Sequence, residues 1–539
     1  MRTPEENRKL ADMLFPEVKE SPEDVFKKYP KRNVEGMVLR FAPSPTGFIH
    51  TGNIYTGFVS TKLAKQSGGI SILRIEDTDK NREIENGVTQ IVQALKGFGI
   101  EFDEGMEDED NWKGEYGPYI QSKRIDIYHV FAKDLVSKGY AYPCFLTEEE
   151  LEEIRHKQEE LKERTGCYGK WAKYRDASTE EIEDLLNEGE KFVIRLYSTG
   201  DIEDSFNMKD LVKGSVTLRE NDMDAVLLKS DGYPTYHFAH PIDDTLMGIT
   251  HITRTDEWFS SVSLHVELFE KLGFKQIPYA HLSPLMKLDN GKKRKLSKRK
   301  DPEFAVSFYL ENGYPKKALL EYLLNIANSN FYDWRIQNPQ KDIEEFELKI
   351  EKFNKAGALF DVIKLEDICK NYIATLAAQE VYEMSLEWAR EYDEELAKLL
   401  EENKDYCIKI FNIERTGEKI RKDIAKFGDI RDQLVIFFDE LLNNVDIEDI
   451  EDRVGKAKQK NILNEYLKVF NISDTQEIWF EKIRNLASEL GFEKVGDVAM
   501  VLRVAITHRT RTPDLYQVMQ VLGEQKVRER IQKYVDMMI

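Results

Sequence analysis

Residues 37–75 read MVLRFAPSPTGFIHTGNIYTGFVSTKLAKQSGGISILRI, and this stretch decides the fold. Met37 to Phe41 is an apolar strand interrupted by one arginine, Arg40. Pro43-Ser44-Pro45-Thr46-Gly47 then forms a stiff loop, because each proline fixes φ and supplies no amide donor. Ile54, Phe58, Val59 and Leu63 recur behind it at the helical period, and Gly68-Gly69 closes that helix. Ile70 to Ile75 is a second strand. A strand, helix, strand unit of this kind takes a right-handed crossover and makes half of a doubly wound nucleotide-binding fold.

The loop between the first strand and the helix is where chemistry is expected. A helix that starts just after a strand offers free backbone N–H groups and the positive end of its dipole, which suits an anion. Gly47 and Gly52 let backbone approach a nucleotide closely, and the imidazole of His50 could donate to a phosphate. Taken alone, a histidine near a helix start is more often a structural hydrogen-bonder than a catalyst. A second element, Lys295-Leu296-Ser297-Lys298-Arg299, lies far downstream. Two lysines around a serine can clamp a triphosphate and neutralise a pyrophosphate leaving group without covalent chemistry. Its weight comes from following the first motif in the expected order.

Composition sets the frame. At 539 residues the chain is long enough for roughly three to five domains. With 41% hydrophobic and 33% charged residues it reads as a soluble, helix-rich globular protein. No apolar run reaches membrane-spanning length, and MRTPEENRKLADMLFPEVKE has no secretory h-region and is too acidic for a transit peptide. The expectation is a cytoplasmic protein without a membrane partner. Cys144, Cys167, Cys369 and Cys407 are too widely spaced for a disulfide framework, in keeping with a reducing compartment. The net charge of -21 argues against broad nucleic-acid affinity. Yet Lys287, Lys292, Lys293, Arg294, Lys295, Lys298, Arg299 and Lys300 crowd one segment in which only Asp289 opposes them. Such a cluster marks a local polyanion contact; standing alone it would be a solvated basic loop.

Along the chain, residues 1–36 form a polar N-terminal extension, and residues 37–117 the first half of the nucleotide fold. From about Ala141 the character changes: LTEEELEEIRHKQEELKERTG is a charge-laced helix closed by Gly166, followed by a strand at Lys191 to Leu196 and a turn at Asp231-Gly232. Residues 118–235 therefore read as an α+β insertion, with the parent fold resuming over 236–280. Residues 281–373 carry the basic loop. Beyond them periodicity is helical almost to the end, so 374–539 is expected to be all helical.

PSPTGFIHTGN resembles the HIGH signature of class I aminoacyl-tRNA synthetases, and KLSKR resembles their KMSKS loop. RFAPSPTG, LRIEDTD, GYPTYHFAHPIDDTLMGITHITR and KLSKR, in this order, resemble glutamyl-tRNA synthetases of the bacterial type, and the likeness extends through LRVAITHRTRTPDLYQVMQVLG. It covers roughly residues 37–539. The fold it implies is a Rossmann-type doubly wound α/β catalytic domain with an α+β insertion, followed by an all-helical C-terminal anticodon-binding region. The activity it implies is ATP-dependent attachment of L-glutamate to the 3' end of tRNA-Glu through a glutamyl-adenylate, in protein synthesis.

The resemblance also implies roles. His50, Lys295, Ser297 and Lys298 match the catalytic signatures; Pro45, Thr46, Gly47, His50, Gly52, Asn53 and Lys298 match the ATP site. Arg40, Ala42, Ser44, Glu76, Tyr236, His240 and Arg254 match the glutamate pocket. A planar guanidinium pairs well with a carboxylate, and Glu76 suits an ammonium. ATP and Mg2+ are the implied co-substrate and ion. Zinc is not expected, because Cys144, His156 and Cys167 are too dispersed for a four-ligand site. The insertion would hold the acceptor end of tRNA, and a monomer is expected. Thr51, Asn53, His240 and Trp258 depart from the usual family residues. The motifs leave open whether tRNA-Gln is charged as well. A ligase acting on the queuosine of tRNA, a glutaminyl-tRNA synthetase and a catalytically dead tRNA-binding paralogue are the rival readings. The long helical end speaks against the first, and intact His50, Gly52 and KLSKR against the last.

Overall fold

The structure, a computed structural model, describes residues 2–47, 49–297, 299–417 and 420–538. The chain divides into two compact units, one of Met1–Val306 with Leu323–Phe360 and one of Ser307–Tyr322 with Asp361–Ile539.

In the first unit, Val38–Phe41 pairs in parallel with Ile70–Leu73, in the register Val38 to Ile70 and Phe41 to Leu73. Ile70–Leu73 pairs in parallel with Glu104–Met106 in turn. The helix Thr51–Gln66 crosses between the first two strands and buries Ile54, Phe58, Val59 and Leu63, the positions expected from the period. Gly68 follows it at φ +70, the left-handed conformation that ends the turn without a Cβ penalty. A second parallel pair, Ile252–Thr255 with Tyr279–Leu282, lies on the other flank of Val38–Phe41: Thr250 N donates to Val38 O (2.9 Å) and Arg40 Nη1 to Thr253 O (3.0 Å). Strand order thus reverses beside Val38–Phe41. In doubly wound sheets the crevice at such a reversal, outside the carboxyl ends of the strands, is where ligands bind.

Between these halves lie an antiparallel sheet of Ala141–Cys144, Val193–Leu196 and Val226–Leu228 and a hairpin of Ser205–Asp210 with Gly214–Arg219. The helix Glu148–Glu160 stops before Gly166, because Lys162 already takes a left-handed φ of 56. The helix Tyr236–Leu246 follows them. The N-terminal helices Pro4–Leu14 and Pro22–Lys28, each opened by a capping box, are no loose appendage. Leu10, Ala11, Phe15 and Val25 belong to one apolar core with Tyr128, Phe131 and Leu135 of the helix Ile125–Ser137.

In the second unit the described residues beyond Asp361 contain helices and no strand. Val381, Leu400, Ile410, Ile483, Val501 and Ile531 share one buried core, so packing of amphipathic faces holds the unit together. Among the described residues no helix is long and apolar enough to cross a membrane.

Candidate active site

His50 is the N-cap of the helix Thr51–Gln66. Its Nδ1 accepts from Asn53 N (3.2 Å), while its own N–H donates to Asn53 Oδ1 (3.1 Å). This is a capping box built from histidine and asparagine. It accounts for Asn53, and it leaves the proton of the neutral ring on Nε2, the nitrogen able to donate to a phosphate. A Cβ at Gly52 would press on the His50 ring at 3.0–3.1 Å, so the glycine leaves that ring room in its capping position.

The second motif sits on the hairpin Leu285–Asp289 with Lys292–Lys295. Lys295 forms an ion pair with Glu257, and Thr255 Oγ1 donates to the same carboxylate at 2.9 Å. Burial raises the Glu257 pKa, but Lys295 and Thr255 outweigh it and hold the group below its ordinary range, and the same carboxylate feels His50. Ser297 N donates to Asp301 Oδ2 (2.9 Å), and Arg294 grips both oxygens of Asp301 at 2.6 and 2.8 Å. The basic segment is therefore less free than its sequence implies: Asp301, Glu303 and Glu257 join Asp289 in opposing Lys287, Arg294 and Lys295.

A short strap links the two motifs. Ala305 bridges His50 in antiparallel fashion, and the Phe304 ring lies 4.4 Å from the His50 ring. Thr51 Oγ1 donates to Glu303 O (2.8 Å) and is 3.1 Å from Phe304 O, which explains a hydroxyl where the family carries an aliphatic side chain. A buried hydroxyl of this kind is worth about 1 kcal/mol. Thr51→Val is expected to lower the stability of the first unit by about 1 kcal/mol in urea unfolding, and Thr51→Ser to restore most of it; equal stability of all three proteins would refute the tether.

Arg40, Arg74 and the helix Tyr236–Leu246 build a buried charge cluster. Arg40 Nε donates to Asp244 (3.0 and 3.1 Å), and Arg74 Nη1 donates to the same carboxylate at 2.6 Å. Burial raises the Asp244 pKa, yet Arg40, Arg74 and His240 hold it well below the ordinary carboxylate range. Asp243 beside it takes Arg124 Nε (2.7 Å), Gln121 Nε2 (2.9 Å) and Tyr128 OH (2.8 Å). Arg74 Nη2 also donates to Glu76 Oε1 (3.2 Å), and Glu76 N to Pro43 O (3.0 Å), which ties Glu76 to the Pro43-Ser44-Pro45 loop. Burial pushes the Glu76 pKa up despite Arg74 and Arg40, so this carboxylate gains from a cation placed against it. His240 is wholly buried: Nε2 is 3.1 Å from Tyr279 OH, and the ring stacks behind Tyr236. Burial pushes its pKa down to about 4. His240 therefore supports Tyr236 from behind rather than reaching into the crevice.

Arg254 is held on several sides. Nε donates to His281 Nε2 (2.9 Å), Nη1 to Tyr236 OH (3.2 Å) with His265 Nδ1 at 3.1 Å, and Nη2 to Trp258 O (3.3 Å). The guanidinium lies over the Tyr279 ring at 4.4 Å. Of its five N–H groups, one on Nη2 has no protein partner among the described residues. Tyr236 OH accepts from Arg254, so its own hydrogen is available to an acceptor. The Trp258 ring packs against Tyr236 at 4.2 Å, which gives this departure from the family pattern a steric role.

Ser44 is exposed at the carboxyl end of the first strand, Ala42 is half-buried, and Pro45 O accepts from Ile84 N (3.0 Å). Thr46 and Gly47 are half-buried in the same loop. Lys298 and Phe48 lie outside the described residues. Cys144 and Cys167 are buried free thiols and His156 is an exposed helix residue beside Glu152. Sequence reading missed Arg74, Asp243, Asp244, Glu257, His265, His281, Asp210 and Asp301. The adjacent acids within PIDDTLMGI were the one local signal, since two carboxylates inside an apolar helix demand buried cations.

A family model described as tRNA synthetases class I (E and Q), catalytic domain, matches residues 36–367, and one for an anticodon binding domain matches 380–535. A glutamate–tRNA ligase of Clostridium perfringens (strain 13 / Type A) is 46% identical over 541 residues, covering 97% of this chain and 99% of its own. Its counterpart in Acetivibrio thermocellus is 47% identical, covering 98% and 99%. Among solved structures, a glutamate tRNA ligase from Elizabethkingia meningosepticum in complex with its amino acid is 29% identical, with a TM-score of 0.74 over 94% of this chain and 100% of that one. With two signature motifs meeting at a strand-order reversal, and with likeness along nearly its whole length, the chain belongs to the glutamate–tRNA ligases, class I aminoacyl-tRNA synthetases with a helical anticodon-binding domain.

Proposed function

We propose that this ligase charges tRNA-Glu in two steps: L-glutamate and ATP form glutamyl-adenylate and pyrophosphate, and a terminal ribose hydroxyl of the tRNA then takes the glutamyl group, for protein synthesis in the cytoplasm. The observation that carries the reading is the strap from Asp301 to Ala305, which joins the His50 helix start to the Lys295–Ser297 loop.

In this reading the glutamate side-chain carboxylate accepts from the remaining Nη2 hydrogen of Arg254 and from Tyr236 OH. Glutamine would leave that cation imperfectly paired, which favours the acid over the amide. The α-ammonium lies against Glu76, whose raised pKa falls back once the cation arrives, and Ser44, Ala42 and Arg40 line the same end. Pro45, Thr46, Gly47, Gly52 and Asn53 shape the ATP loop. His50 Nε2–H donates to phosphate; Lys295 and Lys298 neutralise the leaving pyrophosphate, with Lys295 first giving up Glu257. Ser297 holds the turn that aims them. Mg2+ carried on the phosphates adds charge neutralisation. Catalysis is then positioning and electrostatics rather than covalent chemistry. The insertion, residues 118–235, would hold the acceptor end, residues 281–373 the inner stem, and residues 374–539 the anticodon, on a monomer.

The test is attachment of labelled glutamate to purified tRNA-Glu and tRNA-Gln. Lys298→Ala should abolish charging and the tRNA-dependent exchange of pyrophosphate into ATP; full charging by that variant would overturn its role. Charging of tRNA-Gln at a similar rate would make the enzyme non-discriminating.

A further inference from the structure

We propose that Asp210 is a positioning residue for the glutamate site. It fixes the tautomer of His281, and His281 thereby determines which N–H of Arg254 is left for substrate. The inference rests on the reading of Arg254 as the group that meets the glutamate carboxylate, and adds to it a residue from the hairpin Ser205–Asp210 with Gly214–Arg219, far away in sequence.

Asp210 and His281 are both buried, 1% and 0% exposed. Asp210 Oδ2 lies 2.6 Å from His281 Nδ1, and His281 Nε2 is the acceptor for Arg254 Nε at 2.9 Å. A guanidinium can only donate, so His281 Nε2 must carry a lone pair and Nδ1 the proton, which goes to Asp210. Burial lowers the His281 pKa although Asp210 opposes it; burial works to raise that of Asp210, but His281 and two backbone N–H groups outweigh it and hold the carboxyl below its ordinary range. The relay is thus carboxylate, neutral imidazole, guanidinium. The Nδ1–H tautomer takes Nε of Arg254, while Tyr236 and Trp258 take hydrogens on Nη1 and Nη2, and one Nη2 hydrogen remains. With the other tautomer, an N–H would point at an N–H, and Arg254 would have to turn away.

Asp210 has a second task that makes the relay testable. Its Oδ1 accepts from Val212 N (2.9 Å) and Lys213 N (2.8 Å), capping the turn of the hairpin. Oδ2 also accepts from His281 N, but at a longer 3.3 Å; because the two turn donors are closer, an asparagine at 210 keeps its carbonyl oxygen on them, which directs its NH2 at His281 Nδ1. Asp210→Asn therefore preserves the turn and inverts the tautomer.

The experiment compares glutamate and ATP saturation of D210N, R254Q and the unaltered enzyme, with the ring nitrogens of selectively labelled histidine followed by NMR. His281 should be the Nδ1–H form in the unaltered protein and the Nε2–H form in D210N. KM for glutamate should rise about 10- to 100-fold in D210N, the effect of losing a charged hydrogen bond, while KM for ATP stays within about twofold. Should D210N fold poorly, His281→Gln and His281→Leu replace it: the Gln amide oxygen can accept from Arg254 without Asp210, so only Leu should raise KM for glutamate. If R254Q raises that KM and D210N does not, or if Gln and Leu behave alike, the relay is overturned. If R254Q itself leaves glutamate saturation unchanged, the reading of Arg254 fails instead.

Discussion

Arg254→Gln is expected to lower kcat/KM for glutamate by roughly a thousandfold, about 4 kcal/mol at 1.36 kcal/mol per tenfold. Most of this loss lies in glutamate saturation and little in ATP saturation. The size follows from desolvation: on the proposed reading the carboxylate of the substrate loses its cation in a site walled by Tyr236, Trp258 and Tyr279, where an unpaired charge is costly. The glutamine also offers only two N–H donors to His281 Nε2, Tyr236 OH and Trp258 O, so at least one of the three loses its partner. Arg254→Lys keeps the charge but loses the planar fork, so it should recover only a small part. Steady-state charging kinetics with glutamate varied at saturating ATP and tRNA measure the effect; a loss of less than tenfold would remove Arg254 from the pocket.

Asp244→Asn should destabilise the first unit by about 3–5 kcal/mol, the cost of removing one partner from a buried ion pair. Asn keeps the shape but leaves Arg40 and Arg74 buried with one negative charge fewer between them. Because Arg40, Arg74 and His240 depress the Asp244 pKa despite burial, its contribution is fully present above about pH 4. It is lost as pH falls below that value through the depressed folded one. The stability gap between the unaltered enzyme and D244N should therefore be constant from pH 5 to 8 and close in stronger acid. Urea unfolding followed on the first unit, treated separately because a chain of two units is not two-state, gives the comparison; a gap under 1 kcal/mol at pH 7 would show that the arginines find other partners.

What the sequence made legible was local. The strand, proline loop and helix over residues 37–75 could be read because their signals fall within one or two turns of each other, and the lysines of KLSKR because they are contiguous. Thr51 and Asn53 stayed opaque for different reasons. Asn53 completes a cap three residues away, a pattern masked by the histidine in the usual serine or threonine position. Thr51 answers to Glu303 and Phe304, over 250 residues downstream. Arg254 could be singled out by family likeness, but the groups that orient it, His265, His281 and Asp210, lie on three other elements and carry no shared spacing. His240 shows the converse: a polar residue one helical turn from Tyr236 reads as a pocket contact, yet the helix turns it inward beneath the aromatic ring.

The first 36 residues acquire a further meaning when the chain is considered as it is made. Leu10, Phe15 and Val25 have no core until the helix Ile125–Ser137 exists. Lys9 pairs with Glu183 and Arg2 with Ala177 O, 174 and 175 residues ahead. Arg32 likewise waits for Glu104 and for Met247 O. The packing of these residues thus depends on chain made long after them, and closing so long a loop comes before any reward from the contacts it brings. Until then the apolar faces of these two short helices lack their partners, flanked by acidic first turns and, in the second helix, a basic last turn.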